Sequence, residues 1–71
     1  MENLSNLRTT RQLCDACGVT RAAVAIWREM GMPSISLHSQ QCVYDAGEVL
    51  AWLERKLPRR AEQLRAWEAA R

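Results

Sequence analysis

Apolar residues fall at helical spacing along most of this chain and alternate with polar ones in one short stretch. Thr9 or Thr10 can cap a first helix that runs to about Cys17, with Leu13 and Cys14 on its buried face. Gly18 permits a left-handed turn. Val19 is apolar inside that turn, so it should plug the angle between two helices. Thr20 caps a second helix from about Arg21 to Met30, and Val24 and Trp27 return to the core three residues apart. Gly31 follows the helix end, and Pro33 stops any continuation. From Ser34 to Tyr44 the period changes. Ile35 and Leu37 alternate with serines and Val43 follows, which predicts two short strands around a polar turn near His38-Ser39-Gln40. Asp45 then caps a third helix, with Glu48 placed to complete a capping box and Val49, Leu50, Trp52, Leu53 and Leu57 as its stripe. Pro58 ends that helix or opens the next one. Arg59 to Ala70 is a fourth helix carrying Ala61, Leu64 and Trp67 on one side. Met1 to Arg8 is a lead-in, whose Leu4 and Leu7 can cover an edge of the core.

The order of elements predicts a mainly α protein: a winged helix-turn-helix with a small β-hairpin wing and one or two C-terminal helices. The expected core is Leu13, Val19, Val24, Trp27, Val43, Val49, Leu50 and Leu53. Residues 1–71 form a single domain in this reading, with 1–8 as lead-in and 59–71 as C-terminal helix. A chain of 71 residues, 48% apolar and 25% charged, fits a small folded domain rather than disorder. No apolar run approaches 18 residues and no secretory leader is visible, so a cytoplasmic location and no membrane contact are expected. Three cysteines suggest a reducing compartment. Cys14-x-x-Cys17 with His38-x-x-x-Cys42 superficially resembles a zinc set. The first pair falls inside a helix, however, whereas structural zinc pairs usually sit on turns, so the cysteines are read as buried side chains with no metal. One histidine, no phosphate-binding glycine loop and no Ser-His-Asp set argue against an enzyme, and no cofactor is expected.

A helix-turn-helix makes double-stranded DNA the leading ligand. With Val24 and Trp27 inward, the second helix turns Arg21, Ala22, Ala25, Ile26 and Arg28 outward. Thr20, Arg21 and Ala22 belong to the end that enters a major groove. Arg21 can pair with the O6 and N7 of guanine, while Ala22 and Ala25 allow close approach and can touch a thymine methyl. Arg28 more naturally reaches a phosphate. Thr9, Thr10 and Arg11 begin the first helix, whose N-terminal amides suit a phosphate. His38, Ser39, Gln40 and Gln41 at the wing tip are further candidates. Trp52 and Trp67 are read as packing residues, and the arginines and glutamates of 59–71 as a mostly solvated face.

Gln12-Leu13, Gly18, Trp27-Arg28-Glu29-Met30-Gly31-Met32-Pro33 and Tyr44-Asp45 with Val49 and Trp52 resemble the N-terminal DNA-binding domain of the lambda-type phage terminase small subunit. The match spans about residues 10 to 55. Its distinctive parts are Trp-x-x-x-Gly-Met-Pro and the Tyr-Asp entry to the third helix. Such domains are winged helix-turn-helix folds related to excisionases and MerR-type regulators. The resemblance implies recognition of a packaging-initiation site on viral DNA in a bacterial host cytoplasm, with a terminase large subunit as partner. The family's wing is rich in Gly and Lys, whereas Ser34 to Cys42 holds neither. An excisionase or AlpA/MerR-like transcriptional regulator is the alternative within the same chemistry. A protein–protein interaction module is the alternative from another class. A net charge of +2 and a single strong base reader point to homo-oligomeric assembly on DNA, with Leu64 and Trp67 as the candidate joining face.

Overall fold

A computed structural model describes residues 6–37 and 41–71. The elements are β1 (Leu7–Thr9), α1 (Thr10–Cys17), α2 (Arg21–Glu29), β2 (Ile35–Ser36), β3 (Cys42–Asp45), α3 (Ala46–Lys56) and α4 (Pro58–Ala69). The fold is mainly helical, with one small antiparallel sheet ordered β1-β3-β2.

Helix ends form where local chemistry dictates. The Thr9 hydroxyl accepts from the Gln12 amide at 3.1 Å and the Gln12 side chain accepts from the Thr9 amide at 2.9 Å, a full capping box. Gly18 closes α1 at φ 67°, and Val19 N–H returns to the Cys14 carbonyl. Thr20 caps α2 by accepting from Ala23 N–H, as expected. At the far end Gly31 takes φ 111°. Its N–H reaches the Arg28 carbonyl at 3.1 Å, and Met32 N–H reaches Trp27 at 3.0 Å. That pair of bonds is a Schellman motif, completed by burial of both Trp27 and Met32. Asp45 caps α3 by accepting from Glu48 N–H, and Pro58 opens α4 at its first turn.

One apolar core joins all four helices to the central strand. Leu13, Cys17, Val24, Trp27, Tyr44, Val49, Trp52, Leu53 and Leu64 lie inside it. The Trp27 and Trp52 rings meet at 6.5 Å between centroids, tilted by 45°. Val19 and Leu50 pack against this core half-buried. Val43 does not belong to it. Strand residues alternate between faces, and Tyr44 takes the inward position. Val43 therefore shares the outer face with its register partners Thr9 and Ile35.

Two further expectations are corrected. The end of the presumed lead-in is strand β1, with Leu7, Arg8 and Thr9 opposite Asp45, Tyr44 and Val43; Leu4 lies outside the described residues. The charges of the last helix are also not merely solvated. Arg8, 5% exposed, pairs bidentately with Glu68, Nε to Oε2 at 2.7 Å and Nη2 to Oε1 at 2.6 Å. Its Nη1 donates to the Leu7 carbonyl at 2.8 Å. Arg60 donates to the Cys17 carbonyl at the end of α1, and Arg65 pairs with Glu54 on α3. Arg71 pairs with Glu68 at 3.6 Å and lies over the Trp67 ring.

Hydrogen bonds from Arg8 hold the Glu68 carboxyl below the usual range, against an opposing effect of burial, and raise the Arg8 guanidinium. A depressed carboxylate pKa contributes stability that is full above the ordinary glutamate value, about 4.3, and is lost as pH falls through the folded value. Glu68→Ala leaves a buried guanidinium without its carboxylate and should cost about 3 kcal/mol in urea unfolding. Arg8→Met with Glu68→Leu should recover most of that. The stability difference between parent and double variant should drift toward the variant below about pH 4. A difference unchanged from pH 7 to 3 would remove the ion pair from this account.

Candidate nucleic-acid interface

Three pieces of chain meet on one face. The first turn of α1 brings Thr9, Thr10 and Arg11. The outward side of α2 brings Arg21, Ala22, Ala25 and Arg28. The entry to β3 brings Gln41, Cys42 and Val43. Together they line an open groove of about 660 Å³. Its charged residues are three arginines, with no acid among the lining side chains. The groove exists because α2 buries Val24 and Trp27, leaving the opposite side of the helix outward, while β1–β3 pairing holds the start of α1 beside it.

Eight residues expected at a DNA face are thus gathered in one place: Thr9, Thr10, Arg11, Arg21, Ala22, Ala25, Arg28 and Gln41. Thr20 is not among the lining residues; its hydroxyl is engaged in the α2 cap. His38, Ser39 and Gln40 lie outside the described residues. The Thr10 hydroxyl is not simply presented outward, since it sits 3.1 Å from the buried Tyr44 hydroxyl. Arg28 spans from α2 to β3, donating from Nη1 to the Cys42 sulfur at 3.1 Å. Arg11 and Arg21 are exposed.

Cys42 and Val43 belong to this surface and were missed as site residues. For Val43 the signal lay in strand parity, since a buried Tyr44 puts it outward; Cys42 shares the face of Tyr44 and packs half-buried against the core, so parity does not announce it. The three thiols are free. Cys17 is fully buried, and burial pushes its thiol up. Cys14 and Cys42 are half-buried. Among the described residues no group of three His, Cys, Asp or Glu side chains converges as a metal site.

No protein-family model, curated protein or solved structure matches the chain. Among the described residues, no helix is long and apolar enough to cross a membrane. The face expected to join two copies is largely interior. Leu64 is fully buried and Trp67 half-buried against the same core, because α4 packs on α1 and α3 with that side.

The thiols give a direct check on the groove wall. Alkylation of the native protein near pH 8, followed by mass spectrometry, should modify Cys14 and Cys42 and spare Cys17 until the chain unfolds. Early loss of Cys17 would contradict its place in the core.

Proposed function

We propose that the chain binds double-stranded DNA sequence-specifically as a winged helix-turn-helix. The observation that carries this reading is the groove itself: three arginines and no acid, between an exposed helix and the N-terminal turn of another. In the proposed pose α2 enters a major groove. Arg21, on its first turn, donates to the O6 and N7 of guanine. One phosphate strand runs along the groove, met by Arg11, Arg28 and the positive end of α1. Ala22 and Ala25 keep the helix surface low enough for close approach. The packaging-site role rests on the resemblance carried by Trp27 to Pro33 and Tyr44-Asp45. The terminase large subunit as partner rests on the same residues. Excision and transcriptional regulation use the same duplex chemistry and differ in the site bound.

One bidentate base contact supplies roughly 1–3 kcal/mol of discrimination, less than a useful specificity ratio requires. Tight binding therefore needs paired sites and more than one copy on the DNA.

Arg21→Ala and Arg28→Ala separate reading from anchoring. Both side chains are exposed, so the fold should survive. A random-duplex pool selected on the chain supplies the bound site. Parent and variants are then titrated on that duplex and on a scrambled one across a salt series. Arg21→Ala should relax preference at one position, a guanine, with little change in salt slope. Arg28→Ala should weaken both duplexes alike and lower the slope of log affinity against log salt by about one unit. Equal loss on both duplexes for Arg21→Ala would mean that α2 does not read bases.

A further inference from the structure

The outward surface of α2 carries two adjacent rows. Arg21, Ala22, Ala25 and Arg28 face the groove. From Ala22 at its edge, Ile26 and Met30 follow at four-residue spacing and form an apolar ridge beside it. Ile26 is 54% exposed and Met30 50%. Both follow an exposed Ala22 on the same side of the helix. A lone exposed isoleucine needs no explanation; one that continues a row beginning at Ala22, on the lip of the arginine groove, does.

The groove that the ridge adjoins through Ala22 says what covers it. A partner must present anionic groups to Arg21 and Arg28 and small apolar groups to Ile26 within one surface. A duplex major groove does so, with phosphates at its edges and thymine C5-methyl groups in its floor. Glu29, the one acid of α2, stands on the last turn. It stands about 100° around the helix from Arg28 and repels a phosphate on the ridge side of that turn, so on this side Arg21 to Ile26 are the part that enters. Met30 lies beyond them.

We infer that Ile26, supported by Ala22 one turn earlier, reads the C5-methyl of thymine, so that the bound site pairs a guanine under Arg21 with a thymine under Ile26. This rests on the double-stranded-DNA reading proposed above.

Uracil in place of thymine removes that methyl and leaves base pairing and the other groove-edge atoms in place. The duplex recovered from the random pool is remade with deoxyuridine for each thymidine in turn and titrated against parent, Ile26→Ala and Met30→Ala. For the parent, one or two positions should weaken by about fourfold, the effect of burying one methyl-sized group. Ile26→Ala should lose that sensitivity at the same position while melting like the parent. Met30→Ala should retain it. Binding indifferent to uracil at every position, or equal sensitivity in Ile26→Ala, overturns the inference and leaves the DNA reading standing. A chain that retains no duplex from the pool overturns both. Self-association without DNA that Ile26→Ala abolishes also overturns it, and assigns the ridge to a second copy.

Discussion

Arg8 on Glu68 ties the first strand to the last helix across 60 residues of sequence. The chain carries three free thiols and no disulfide among its described residues, so this noncovalent tie closes the fold. A buried ion pair is weak evidence of net stability, because desolvation offsets much of its attraction. Its stronger effect is on register. Arg8 lies opposite Tyr44, and a slip of β1 by one residue would put Leu7 or Thr9 in that position and turn the guanidinium toward solvent. The bidentate geometry penalises that slip. Fixing β1 fixes the Thr9 cap, and the cap sets where α1 begins.

The groove inherits its shape from that chain of constraints. Tyr44 is held in the core with its hydroxyl against Thr10, so strand and helix meet at a defined distance. Residues that carry the terminase-like resemblance are mostly scaffold in this arrangement. Trp27, Gly31 and Met32 build the end of α2, while Tyr44 and Asp45 turn β3 into α3. Of the side chains that line the groove, Arg11, Arg21 and Ala22 stand outside the residues that carry the resemblance, while Arg28 is among them. These scaffold positions therefore fix where a ligand would sit more firmly than what sequence it would have.

Local chemistry made much of this legible. Thr20, Gly18, Gly31 and Asp45 act through bonds to residues at most five positions away, and each does what its type and place implied. Strand β1 was not legible, because Leu7-Arg8-Thr9 has no alternation to read and its partner lies more than thirty residues on. Arg8 was misread for the same reason: its carboxylate comes from the far end of the chain. Val43 was placed in the core by its apolar side chain alone. Parity from Tyr44 sends it outward, where it becomes part of the groove. Leu64 and Trp67 were recognised as an apolar stripe, but periodicity does not say whether a stripe meets its own fold or another copy.

A net charge of +2 is small for a nucleic-acid partner, but that sum is unevenly distributed over the structure. Glu68 is taken up by Arg8 and Arg71, and Glu54 by Arg65. Arg60 is turned to the Cys17 carbonyl. These pairings cluster where α4 meets β1, α1 and α3. The groove keeps Arg11, Arg21 and Arg28 with no acid in its lining. The longest dimension across the described residues is 31 Å, about four Debye lengths at physiological salt. Charges on the far side are therefore largely screened from a ligand in the groove. What such a ligand meets is the local sum of three positive charges rather than the balance of the whole chain.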